Sequence, residues 1–325
     1  MQIVFFGTPY YVVPILQALH NSFKIRGESS VVGVVTQPPK PTGRKQIMEY
    51  SEIDNWAHKH SLAGKSGRTK IPVFFDSMKL IKEGINADVG ILASYGAKIP
   101  SEVINYFPKG ILVIHPSILP EFRWASPVPA MIVTNTPNIG ATILKMDDKW
   151  DHGPIVAQFT DELKNDDNYQ TLRDRLFERS AEVLVQALPA YLNDKIKLKN
   201  QDDSKASFAR MITKEDAFIP PQILKLALQG DALPTWNIDF IKTNGVPYVL
   251  HPTPYNLHLF IKAMSPAPGA WTVVHTSSLS QEKRLKIINA HVSESKLVLD
   301  EVQLEGRTVV TWEQFKSGYP EFTLR

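Results

Sequence analysis

The sequence predicts an α/β protein: a mostly parallel sheet covered by helices on both faces, followed by a small C-terminal β-barrel of the oligonucleotide-binding kind. In the N-terminal half, short runs that are apolar on both faces alternate with segments of helical length. After a polar stretch, the C-terminal part contains short apolar runs separated by turn residues. The length of 325 residues fits two domains at a prior of about 150 residues each.

Seven apolar runs predict the strands of the first domain. They lie at residues 2–6, 31–36, 71–75, 89–93, 111–115, 140–146 and 155–159. Ligands of parallel α/β sheets bind beyond the carboxyl ends of the strands. We therefore expect the chemistry in the loops that follow residues 6, 36, 93 and 115.

A long amphipathic segment, residues 169–193, predicts a helix with an apolar stripe at helical spacing. The polar stretch that follows it is typical of a linker. We therefore predict a catalytic domain at 1–196, a linker at 197–206 and a β-barrel domain at 207–325. The predicted barrel strands are 271–276, 285–292, 296–304 and 308–310.

Composition excludes several classes of function. The net charge of +3 does not by itself indicate a nucleic-acid partner. Zero cysteines exclude disulfides, cysteine nucleophiles and thiolate metal sites, and fit a reducing compartment. No apolar run approaches the length of about 18 residues that crosses a bilayer, and the N-terminus lacks a signal-peptide pattern. We expect a cytoplasmic protein with no membrane association.

Nucleotide cofactors and metals are also disfavoured. A dinucleotide site needs G-x-G-x-x-G after the first strand, where this sequence has only Gly7. No phosphate-cradling G-x-x-x-x-G-K-[ST] motif is present. Five polar residues could in principle ligate a metal but have no recognisable ligand spacing, so no metal is predicted. They are His115, Asp147, Asp148, Asp151 and His152.

Two loops contain residues suited to chemistry or binding. His115 ends the fifth predicted strand, and the segment MDDKWDHG at 146–153 supplies carboxylates that could hold its imidazole as a general acid or base. The loop TQPPKPTGR ends in adjacent cations, Arg44 and Lys45. Arginine grips phosphate bidentately, and prolines limit the entropy that a loop loses on docking. The alternative for this loop is a solvated connector.

Taken together, these segments resemble the methionyl-tRNA formyltransferase family over nearly the whole chain. The S-[IL]-L-P element is shared with other enzymes that use 10-formyltetrahydrofolate, whereas the proline-rich loop and the second domain are specific to the tRNA enzymes. The matching segments, in chain order, are IVFFGTPYYVVPILQAL, VVTQPPKPTGR, ILASYGAKIP, HPSILPEFR, GATILKMDDKWDHGPI, ARMITKEDAFI and IKAMSPAPGAW.

The resemblance implies a Rossmann-like formyltransferase domain joined to a β-barrel domain. The implied activity is transfer of a formyl group from 10-formyltetrahydrofolate, a co-substrate, to the amino group of methionyl initiator tRNA in translation initiation. It also implies that His115 stabilises the oxyanion or shuttles a proton while Asp151 orients it. Arg44, with Lys45 beside it, would contact the tRNA acceptor end. The implied folate-binding residues are Ser117, Ile118, Leu119, Pro120, Tyr95, Gly96, Asp147 and Asp148. We expect a monomer.

The sequence departs from the family pattern near the expected chemistry. The family has N-x-H, whose Asn donates to the formyl oxygen, and this chain has Val113 at that position. Losing one oxyanion donor typically costs about 2.7–4 kcal/mol, roughly 10²–10³ in rate, so we expect reduced activity. Trp124 replaces a family Gly, and His152-Gly153-Pro154 replaces Thr-Gly-Asp.

Two alternative functions stay open at this stage. The first is a noncatalytic homologue that binds folate or tRNA, which the missing donor favours. The second is a formyltransferase acting on a sugar-nucleotide amine, in which the second domain would recognise a small molecule.

Overall fold

A computed structural model describes residues 1–25, 28–43, 46–61, 71–275 and 282–324. The chain forms two compact units, and each is built from several stretches of sequence. The first unit comprises residues 1–120, 140–161 and 173–203, and the second comprises 121–139, 162–172 and 204–325. The domain boundaries at 196 and 207 remain a proposal.

The first unit contains a seven-stranded sheet. Its strands are β1 (Ile3–Gly7), β2 (Val31–Val35), β3 (Val73–Phe74), β4 (Val89–Ala93), β5 (Ile111–His115), β6 (Ile139–Lys145) and β7 (Ile155–Asp161). Their order across the sheet is β7-β6-β5-β4-β1-β2-β3. Strands β1 to β5 pair in parallel, and β6 pairs antiparallel with β5. The predicted mostly parallel α/β fold is confirmed.

The sheet of the first unit is buried on both faces. In β1, Ile3 and Phe5 join one apolar cluster, whereas the alternate residues Val4 and Phe6 join another. Each fully buried side chain of this kind contributes about 1.5–3 kcal/mol, so both faces are strongly held. The runs are apolar throughout because helices or loops cover both sides of the strands.

Six helices lie wholly or partly in the first unit or join its strands. They are α1 (Val13–Ser22), α2 (Glu52–Ser61), α3 (Met78–Lys82), α4 (Ser101–Ile104), α5 (Pro127–Thr134) and α6 (Tyr169–Leu192). Of these, α5 belongs to the second unit and α6 begins in it. The predicted apolar stripe of α6 is buried, including Leu176, Leu184 and Leu188. Two further antiparallel strand pairs lie outside the main sheet. Lys24–Ile25 pairs with Glu28–Ser29, and the exposed residues Lys40–Thr42 pair with Ile47–Glu49.

The second unit contains two antiparallel sheets. The first orders β8 (Ser207–Ala209), β9 (Trp236–Thr243) and β10 (Val246–Leu250). The second orders β11 (Trp271–Val274), β12 (Lys283–Ser293), β13 (Lys296–Leu304) and β14 (Val309–Thr311). The four-stranded sheet is compatible with the predicted small barrel; residue 276 of the first predicted barrel strand lies outside the described residues. Besides α5, the second unit contains the helices α7 (Pro221–Gln229), α8 (Pro254–Met264) and α9 (Trp312–Gly318).

Among the described residues, no helix is both long enough and apolar enough to span a membrane.

Candidate active site

The carboxyl end of β5 places a histidine beside a carboxylate. His115 is the last residue of the strand and is buried. Its Nδ1 atom lies 3.6 Å from Oδ1 of Asp151, whose side chain is 14% exposed. This separation is longer than a hydrogen bond but short enough for the carboxylate to stabilise positive charge on the ring. The structure therefore brings together the two predicted catalytic residues.

The loop after His115 is held by hydrogen bonds to the neighbouring strands. Oγ1 of Thr142 donates to the carbonyl of Ser117 (2.7 Å) and accepts from the amide of Leu119 (3.1 Å). Nε2 of Gln158 donates to the Leu119 carbonyl (3.0 Å) and to Thr142 Oγ1 (2.9 Å). Buried hydrogen bonds of this kind fix a loop because leaving the groups unpaired is costly.

Sequence reasoning missed Thr142 and Gln158. Thr142 is paired directly with His115 across the antiparallel strands β5 and β6. Paired residues of neighbouring strands project to the same face of a sheet, so a correct strand register would have indicated Thr142. No sequence signal pointed to Gln158.

Gly140 lets the loop lie close to the sheet. A Cβ atom at this position would lie 2.0 Å from the carbonyl oxygen of Phe159 and 2.6 Å from Cδ1 of Ile118. Only glycine avoids both overlaps. Ile118, one of the predicted folate-binding residues, is thus packed over β6, and Pro120 ends the same loop.

Val113 lies in an apolar cluster on the same face of β5 as His115. It is paired with Leu92 of β4 and Leu144 of β6. The buried members of the cluster are Val113, Leu119 and Leu144, and Leu92 and Met146 pack against them. Since residues two apart on a strand project to the same side, the methyl groups of Val113 lie on the same side of β5 as the His115 ring.

The 146–153 loop contains a second histidine between two carboxylates. His152 Nδ1 lies 2.7 Å from Oδ2 of Asp147, and its Nε2 lies 3.3 Å from Oδ2 of Asp203. Asp147 also accepts a hydrogen bond from the amide of Lys149 (3.0 Å). Asp148 is exposed. Both ring nitrogens of His152 are therefore engaged within the loop and its neighbours.

Tyr95 ties together three loops at the carboxyl edge of the sheet. Its carbonyl accepts from Oγ1 of Thr8 (3.1 Å) and Nε2 of Gln37 (3.3 Å). Its ring packs edge-on against Phe6 at 5.9 Å, and burial, with a smaller effect of Asp76, raises the pKa of the phenol. The buried ring shapes the loop from the core side. Gly96 follows with a φ of 79°.

Trp124 belongs to the second unit. Its φ is 82°, in the left-handed region that favours glycine. The indole packs against the ring of Phe208 at 4.6 Å and remains 42% exposed. The backbone of the preceding Arg123 pairs with β8 through the amide of Ala209 and the carbonyl of Ser207. A tryptophan thus occupies a backbone conformation that glycine adopts more readily.

The predicted tRNA-binding residues Arg44 and Lys45 lie outside the described residues. They fall between the paired segments Lys40–Thr42 and Ile47–Glu49, whose side chains are exposed. The predicted site residues therefore divide into a described group around His115 and an undescribed pair.

The mostly parallel sheet places a histidine and a carboxylate together at the carboxyl end of β5, an arrangement suited to acid–base chemistry. The formyl transferase family model matches residues 1–188, and the chain belongs to that family.

Named relatives give a finer comparison. The chain is 33% identical over 258 residues to the methionyl-tRNA formyltransferase of Herpetosiphon aurantiacus, covering 76% of this chain and 79% of the relative. It is 28% identical over 340 residues to that of Dictyoglomus thermophilum, covering 98% and 97%. The methionyl-tRNA formyltransferase structure from Clostridium thermocellum shares the fold, with a TM-score of 0.52, 14% identity and coverage of 94% and 98%. The resemblance inferred from the sequence is confirmed.

Proposed function

We propose that this protein transfers a formyl group from 10-formyltetrahydrofolate to the α-amino group of methionyl initiator tRNA. The observation that carries the proposal is the pairing of His115 with Asp151 beside the anchored loop at the end of β5. Similarity to named methionyl-tRNA formyltransferases over most of the chain supports the choice of acceptor.

The proposed reaction makes one bond and breaks another. The neutral amine attacks the formyl carbon, the new C–N bond forms, and the bond from that carbon to N10 of the folate breaks. One proton leaves the amine and one arrives at N10. His115 shuttles this proton or stabilises the transient oxyanion, and Asp151, 3.6 Å from its ring, stabilises the imidazolium.

In this proposal the folate binds between three loops of the first unit. Ser117, Ile118, Leu119 and Pro120 supply one side, held in place by Thr142 and Gln158. The second side comprises Tyr95, Gly96, Asp147 and Asp148. Because Asp147 contacts His152 and the Tyr95 ring is buried, backbone groups rather than these side chains make the polar contacts. The proposal assigns no step to a metal.

We further propose that Val113 lowers the rate. Its apolar cluster offers no hydrogen-bond donor where the family's Asn stands. His152 is a poor replacement, since both of its ring nitrogens already face carboxylates. Stabilisation of the oxyanion then depends on His115 and on backbone amides.

The decisive experiment is transfer of labelled formyl from 10-formyltetrahydrofolate to charged initiator tRNA, with His115→Ala as the blank. We expect slow transfer by the natural chain and none by the variant, with folate affinity little changed. Folate and tRNA binding without any transfer would instead support the noncatalytic alternative. Transfer to a sugar-nucleotide amine, with no protection of the tRNA acceptor stem in footprinting, would support a sugar-nucleotide formyltransferase.

A further inference from the structure

Residues 199–203, which we call the strap, lie alongside the turn that carries Asp151. Lys199 pairs antiparallel with Ile155, with backbone hydrogen bonds of 2.8 and 3.0 Å. Two residues further, Nε2 of Gln201 donates to the carbonyls of Asp151 and Gly153, each at 2.8 Å. Asp203 ends the strap 3.3 Å from His152. Lys199 thus pairs with the start of β7, and Gln201 and Asp203 contact the turn before it.

The turn needs such support because its backbone is strained. Asp151 has a φ of 52°, a conformation that costs a non-glycine residue about 1–3 kcal/mol and persists only when its surroundings enforce it. On the side of β6, a Cβ at Gly153 would lie 1.8 Å from the carbonyl oxygen of Lys145, so glycine presses the turn against the strand end. On the other side, one Gln201 amide satisfies two carbonyls at once.

From these contacts we propose that Gln201 is a positioning residue for formyl transfer, which holds the Asp151 backbone so that its carboxylate faces His115. This role rests on the proposed function, since it assigns Asp151 and His115 to the transfer step. The two hydrogen bonds of Gln201 end on the turn that carries Asp151, whereas the loop at 117–120 is anchored by Thr142 and Gln158. Its loss should therefore affect the chemical step more than folate binding.

The test uses the full chain with Gln201→Met, which keeps the length of the side chain and removes both donors. A misplacement of about 1 Å can cost 10²-fold, so we expect kcat to fall about 10- to 100-fold while KM for 10-formyltetrahydrofolate changes less than about threefold. Gln303→Met is the matched control, because it removes an amide that donates to the Arg307 carbonyl in the second unit. It should leave kcat unchanged.

A double-mutant cycle separates positioning from general destabilisation. If Gln201 acts through Asp151, Gln201→Met has no further effect on kcat in an Asp151→Asn background. Multiplicative losses would overturn the proposal, as would an unchanged kcat in the single variant.

A second readout does not depend on activity. In protein labelled with ¹⁵N-histidine, the ring signals of His115, assigned by their loss in His115→Gln, should shift in Gln201→Met and Asp151→Asn but not in Gln303→Met. An inert natural chain with these shifts would refute the proposed function and keep the positioning role. An active chain without them would refute the positioning role alone.

Discussion

At the scale of single residues, Val113 is the position where a substitution has the clearest expected chemical consequence. Val113→Asn should raise kcat by about 10- to 100-fold, because an amide would stand beside His115 where the oxyanion develops. The same change should lower the free energy of unfolding by about 1–3 kcal/mol, because the amide enters a cluster with Leu119 and Leu144. Single-turnover formyl transfer and urea denaturation measure the two effects.

Val113→Ala is the control for that substitution. It loses packing without gaining a donor, so kcat should not rise. If the alanine variant gains as much activity as the asparagine variant, relief of crowding rather than hydrogen bonding explains the gain, and the proposed effect of Val113 on the rate is wrong.

Trp124 tests a backbone rather than a chemical effect. Both Trp124→Gly and Trp124→Ala remove the packing on Phe208, but only alanine keeps a Cβ at a φ of 82°. The left-handed conformation costs an L-residue about 1–2 kcal/mol, so the glycine variant should be the more stable by about 1 kcal/mol. If the urea denaturation curves of the two variants have equal midpoints and equal slopes, the backbone at position 124 relaxes to an unstrained conformation in both variants.

At the scale of elements, the packing of α1 on α2 contains a titratable group. His20 lies edge-on to Trp56 and His60, with ring centroids 5.2 and 5.0 Å away. Burial lowers the pKa of His20 from 6.5 to about 4, and repulsion by Lys24 and His60 acts in the same direction. The unfolded chain therefore takes up a proton near pH 6.5 that the folded chain takes up only near pH 4.

Stability should consequently fall as the pH drops from 6.5 towards 4. For a partly exposed ring we expect a loss of about 1 kcal/mol between pH 7 and pH 5. Measured against the natural chain, His20→Gln should remove that share of the pH dependence. A variant with the same pH slope as the natural chain would mean that His20 titrates normally.

Periodicity explains which elements the sequence predicts well. The strands at Val89–Ala93 and Ile111–His115 have the predicted bounds, since runs buried on both faces leave a strong apolar signal. The hairpin of Lys40–Thr42 and Ile47–Glu49 was not predicted, because its exposed residues carry no apolar pattern. Residues 71–75 were predicted as a full strand, whereas only Val73–Phe74 pair.

At the scale of the whole molecule, the site depends on contacts that local patterns do not encode. His115 was found because it ends a strand, and strand ends are readable from sequence. Thr142 and Gln201 reach partners 25 and 50 residues away. Such contacts depend on strand register and on the path of the strap, so one sequence predicts the type of chemistry but not the residues that hold its geometry.

The proposed binding of tRNA would depend on local cations, because the net charge of the whole chain is only +3. Arg44→Ala should raise KM for tRNA more than KM for the folate. It should also reduce the slope of log KM for tRNA against log salt concentration by about 1, the value expected for the loss of one phosphate contact. Lys59→Ala removes the same charge from the exposed face of α2 and serves as the control. Equal effects of the two substitutions would mean that tRNA senses only overall charge, and that the proline-rich loop has no special part in binding it.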